Sequence, residues 1–196
     1  MPCIAARIDH KDSYVRCSAL EALGALGELS APYVADIAAR LDHEDSWVAS
    51  SAVKALGGIG KLAAPYVAAI AARLEAESTF VQSSALQALV ALNELAAPHM
   101  PAIAARLKDP DWNVRISALE ALVDLRELAA PHVPAIAALL EDGEWPVRRS
   151  AVQALGALGE MAVPHVPAIT ALLKDEESYV QSSAVEALAA LSETDM

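Results

Sequence analysis

Residues 12–41 read DSYVRCSALEALGALGELSAPYVADIAARL, and residues 45–74 read DSWVASSAVKALGGIGKLAAPYVAAIAARL. The second stretch restates the first at a step of 33 residues, and the restatement continues. Val15, Val48, Val81, Val114, Val147 and Val180 keep the step, as do Leu23, Leu56, Leu89, Leu122, Leu155 and Leu188. Pro32, Pro65, Pro98, Pro131 and Pro164 keep it too. Self-similarity at a fixed period of this length marks stacked units, none of which buries its apolar face alone. The reading is one array over 1–196: a shortened first unit, 1–27, then 28–60, 61–93, 94–126, 127–159 and 160–196.

Each unit carries two helical patterns. Val34, Ile37, Ala38 and Leu41 fall at i, i+3, i+4 and i+7, one face of a short helix opened by Pro32. Val15, Ala19, Ala22, Leu23 and Leu26 mark a longer helix of about four turns, with Asp12 or Ser13 placed to cap its start. Gly27, Gly60 and Gly159 stand where the long helix must stop. Asn93, Arg126 and Ser192 hold that slot elsewhere, where the stop is expected to rest on the LAAP linker and its proline.

The composition agrees. Hydrophobic residues make up 55% of the 196, mostly Ala, Leu, Val and Ile, which pack helices better than sheets. Charged residues interrupt the apolar pattern every few positions, so no run is expected to span a bilayer and no membrane partner is predicted. The N-terminus lacks the pattern of a secretory signal. Cys3 and Cys17 are too few for a disulfide framework and lack metal-ligand spacing, so a reducing, cytoplasmic setting is expected. A net charge of −12 repels a phosphate backbone, which argues against nucleic acid.

What recurs is an acidic residue, Val-Arg or a variant, then a small-residue run: DSYVRCSALEALGALG at 12–27 and EWPVRRSAVQALGALG at 144–159. Over essentially the whole chain this resembles the short HEAT-like repeats, including those of phycobilisome lyases and designed consensus arrays. The turn of ankyrin repeats and the Trp, Leu-Gly and Tyr pattern of tetratricopeptide repeats are missing. The resemblance implies an all-α fold, a right-handed α-solenoid of stacked helix pairs, with the second helices lining a concave groove. It also implies an Asp to Arg ladder, for which Arg16, Arg115 and Arg148 are candidates. Neither end carries a polar cap, so self-association through the terminal repeats is expected.

At about 100° per residue, positions 14, 17 and 21 of the long helix lie opposite its core face. One aromatic opens every long helix: Tyr14, Trp47, Phe80, Trp112, Trp145 and Tyr179, six of the eight in the chain. Such a row is suited to gripping a peptide or helix. Beside it run Ser50, Ser83, Arg149 and Ser182, and then Glu21, Lys54, Gln87, Glu120 and Gln153. These fifteen form the expected partner-binding surface, and acidic loops between the helices favour a basic partner. His99, His132 and His165 recur too far apart, at about 10 Å per helix layer, to share one ion, so no metal is expected. No nucleophile with a base, no paired carboxylates and no phosphate loop recur, so neither enzyme nor cofactor is expected. The function expected is a non-enzymatic scaffold binding a protein or peptide. The alternatives are a chromophore-binding or attachment protein like the phycobilisome lyases, and a spacer or fragment of a longer array.

Overall fold

The computed structural model describes residues 2–193; Met1 and residues 194–196, the outer limits of the expected first and last repeats, lie outside the described residues. Regular structure among the described residues is entirely helical. The fold is an all-α solenoid of stacked helix pairs, and its contacts divide the chain into two compact units, Met1–Ala102 and Ile103–Met196.

In unit 1 the elements are α1 (Pro2–Ala5), α2 (Ser13–Ala25), α3 (Val34–Ala38), α4 (Ser46–Ile59), α5 (Val67–Ala72) and α6 (Thr79–Leu92). The long helices α2, α4 and α6 pack side by side, and the short helices α3 and α5 lie on the long helix that follows each. α7 (Met100–Ala105) leads into unit 2, where α8 (Trp112–Asp124), α9 (Val133–Ala138), α10 (Trp145–Leu158), α11 (Val166–Ala171) and α12 (Ser178–Glu193) repeat the plan.

Local chemistry sets the ends of the long helices. Asp12, Asp45 and Asp111 each accept a hydrogen bond from the N–H two residues on, at 2.9, 2.9 and 2.8 Å, so Asp12 and not Ser13 is the cap of α2. The linker is not irregular: Gly27–Tyr33 and its counterparts form 3-10 turns that contain the repeat proline, which therefore precedes the short α-helix instead of opening it. At the helix stops Gly60 and Gly159 have φ of +71° and +61° with ψ near −130°, a region only glycine enters freely. Asn93 is forced into nearly the same conformation, φ +48° and ψ −114°. Asn93→Gly should relieve that strain and stabilise the protein by about 1–2 kcal/mol in urea unfolding.

Burial is broader than the one-faced pattern. Leu23, Leu56, Leu89, Leu122 and Leu155 are fully buried as expected, but so are Leu20, Val53, Leu86, Leu119 and Val152. A long helix inside a stack is covered by its short helix and by a long helix on each flank, so its apolar stripe exceeds the half-cylinder of a surface helix. The flanking seams are tight. A methyl added at Gly24 would stand 2.7 Å from Ala55 Cα, and one at Gly57 2.9 Å from Ala88 Cα. Gly156 meets Ala187 in the same way. Val123 holds this position in α8, and there a hollow of about 360 Å³ opens between α8 and α10.

Two sets of ion pairs tie neighbouring repeats. Arg40 pairs with Asp9 and Arg73 with Asp42 in unit 1, with both carboxylates largely exposed. Arg115 reaches Asp142 at 3.0 Å and Arg148 reaches Asp175 at 2.8 Å in unit 2, with all four side chains nearly buried. Arg16 does not join the ladder, because the residue one repeat on from its loop is His43 where the others have aspartate.

One expectation about the membrane needs correction. The spans Ser46–Glu75 and Trp145–Lys174 reach mean hydropathies of 1.4 and 1.2, the length and composition of a crossing helix. Each is nevertheless divided into α, 3-10 and α segments with a proline inside, and neither is one continuous α-helix.

Candidate functional site

Six of the fifteen expected partner-binding residues meet at one cleft of unit 1. Tyr14, Glu21, Trp47, Ser50, Lys54 and Phe80 line a space of about 450 Å³, together with Ser13, Cys17, Ser18, Asp45 and Ser51. The aromatics come from the first turns of α2, α4 and α6, and the Asp12 and Asp45 caps fix the first two. Tyr14 is 81% exposed and Trp47 66%, unusual values for such large side chains. Trp47 and Phe80 touch with ring centroids 4.8 Å apart and planes tilted by 49°. Lys54 Nζ lies 5.1 Å from the Phe80 centroid, a cation–π contact.

The polar groups of the cleft differ in availability. The Asp45 carboxyl is held below its usual range, chiefly by a hydrogen bond from Ser13 and then by the Trp47 N–H. Its charge is already engaged in capping α4. Glu21 is exposed and has no ion-pair or hydrogen-bond partner among the described residues, which leaves it the free anion at this site.

Ser50 corrects the sequence reading. It is 1% exposed, and its hydroxyl meets Ser84 Oγ at 2.7 Å. Ser84 in turn donates to the Phe80 carbonyl at 2.9 Å, so Ser50 is the donor in the pair. The relay fixes α4 against α6 beneath the aromatics and presents nothing to a partner. A wheel drawn for one helix places Ser50 opposite the core, but the adjacent long helix covers that direction.

Unit 2 arranges its candidates differently. Trp145 stacks on Tyr179 with centroids 5.6 Å apart and planes 22° from parallel, and the Arg149 guanidinium lies 5.9 Å from the Tyr179 ring centre. Glu120 and Gln153 line the hollow beside Val123, apart from these aromatics. Trp112, Gln87 and Ser182 are exposed and Ser83 is half-buried, and none of the four lines a described cleft. Ser13, Ser18, Asp45 and Ser51 were not among the expected site residues, since only the pairing of α2 with α4 brings them to the space between those helices. Among the described residues no group of three or more His, Cys, Asp or Glu side chains is placed to hold a metal ion.

The HEAT repeats family model matches residues 1–90 and 133–196, and the HEAT repeat model matches residues 99–125. No curated protein matches the chain in sequence. Among solved structures, an engineered protein from a structural genomics consortium superposes with a TM-score of 0.66 at 20% identity, over 98% of this chain and 96% of that one. The complex of CpcE and CpcF of phycocyanin lyase from Nostoc sp. gives 0.60 at 19% identity, over 80% of this chain and 98% of that one. Human deoxyhypusine hydroxylase in complex with glycerol gives 0.53 at 21% identity, over 98% of this chain and 84% of that one. At these identities the likeness is one of fold.

Proposed function

Because the chain belongs to the HEAT repeat family, we propose that it is a non-enzymatic protein-binding scaffold whose unit 1 cleft receives a peptide segment or helix carrying an apolar anchor beside a basic residue. One observation carries this reading: Tyr14, Trp47 and Phe80, from three successive helices, surround a single space while keeping much of their surface in water. Exposed rings of this size forgo burial worth roughly 2 kcal/mol each, which a partner recovers on binding. About 450 Å³ suits an inserted side chain or a short segment of backbone. Glu21 and the net charge of −12 favour a basic partner and would speed its approach.

The test is selection of peptides from a displayed random library against the full chain, with affinity of the selected peptides read by titration calorimetry. Selected sequences should combine an aromatic or aliphatic anchor with Arg or Lys. Trp47→Ala, folded by circular dichroism, should weaken them about 30-fold, the loss of about 2 kcal/mol expected of a buried aromatic hot spot. Glu21→Gln should slow association and flatten its salt dependence. Peptides that bind Trp47→Ala as tightly as the native chain would place the binding surface elsewhere.

A further inference from the structure

The fourth residue of five of the six long helices has the same task. Arg16, Gln82, Arg115, Arg148 and Gln181 each donate to the backbone carbonyl six residues earlier, in the loop of their own repeat. The donor–acceptor distances run from 2.6 to 3.0 Å. The same position in α4 is Ala49, which has nothing to donate. Beside it lies a hollow of about 520 Å³ whose walls include His43, Glu44, Ser46 and Ala49.

Those first three residues are the counterparts, one repeat on, of the acceptors that hold Arg16. Its guanidinium donates to the His10 carbonyl at 2.9 Å, to the Lys11 carbonyl at 3.4 Å and to Ser13 Oγ at 2.6 Å. No side chain among the described residues donates to the His43 or Glu44 carbonyls or to Ser46 Oγ. We propose that this hollow binds the guanidinium of an arginine side chain presented by a partner protein, in the place that Arg16 takes within its own repeat.

Charge and precedent both favour that ligand. Asp42, Glu44 and Glu77 line the hollow against the single guanidinium of Arg73, and Glu44 replaces Lys11, which turns a repelling neighbour into an attracting one. Arg73 is no obstacle, since its pair with Asp42 repeats the pair of Arg40 with Asp9, which stands in the same repeat as Arg16. Three acceptors around a planar fork select guanidinium over ammonium, which cannot present donors in that geometry. The site is separate from the aromatic cleft, so neither proposal depends on the other.

The experiment titrates the full chain with N-acetyl-arginine methylamide, followed by amide NMR. Saturable shifts are expected at His43, Glu44 and Ala49, and the lysine analogue should bind about 10-fold more weakly. Ser46→Ala, which removes one acceptor, should weaken arginine about 3- to 10-fold. Ala49→Arg should occupy the hollow from within, abolish the shifts and raise Tm. The proposal is overturned by shifts that never saturate, by equal binding of lysine, by undiminished binding to either variant, or by a lower Tm in Ala49→Arg.

Discussion

Arg148→Ala is expected to cost about 3–5 kcal/mol in urea unfolding, the price of leaving a buried carboxylate without its cation. Arg148 donates to Asp175 through Nε at 2.8 Å and through Nη2 at 2.9 Å, and Nη1 holds the Asp142 carbonyl at 3.0 Å. Its side chain is 9% exposed and that of Asp175 6%, so solvent screens the pair weakly. The hydrogen bond with Arg148 is the largest cause holding the Asp175 carboxyl below its usual range, and the same bond raises Arg148. Unit 1 supplies the control, because Ala49 and Ala76 occupy the two corresponding positions there. Arg148→Ala combined with Asp175→Ala should therefore cost about 1–3 kcal/mol less than the sum of the single changes.

The pH dependence has a definite sign. A carboxyl whose folded pKa is depressed contributes stability above its unfolded value, about 4, and that contribution fades as pH falls through the lower folded value. The gap between native protein and Arg148→Ala should be widest near neutrality, shrink as pH falls below about 4, and close only below the depressed folded value of the native Asp175 carboxyl. A gap unchanged between pH 7 and pH 3 would mean that the pair contributes packing and not charge.

Gly57→Val should be the second large effect, about 1–3 kcal/mol by overpacking. The added Cβ would stand 2.9 Å from Ala88 Cα, a backbone neighbour that cannot rotate aside, so α4 and α6 must separate. Val123, which holds the equivalent position in α8, lines a hollow of about 360 Å³ between α8 and α10. Gly57→Val should accordingly remain helical by circular dichroism and lose thermal stability. A Tm within about 1 °C of the native value would show that the seam was never tight.

The repeat, the helix pair and the buried leucine row could all be read from the chain, because a 33-residue period fixes which residues are equivalent and helical spacing fixes which face inward. The aromatic row was legible for the same reason, as Asp12 and Asp45 aim Tyr14 and Trp47 from the first turn. Ser50 was not. Its burial depends on the helix beside it, and a wheel has no neighbours. The pairing of Arg148 with Asp175 followed a recurring pattern, whereas the exclusion of Arg16 required noticing that His43 replaces an aspartate in the next repeat. The gathering of Tyr14, Glu21 and Lys54 with Phe80 depends on the spacing of three helices, which no single repeat encodes.

The glycine seams have a mechanical corollary. Where Gly24, Gly57 and Gly156 let backbones touch, a pull along the stack loads many short contacts at once, and such joints are stiff and brittle. The joint at Val123 holds its helices apart over a hollow and can flex before it breaks. Stretched in a force clamp, the α8–α10 joint should yield first of the four within the two units.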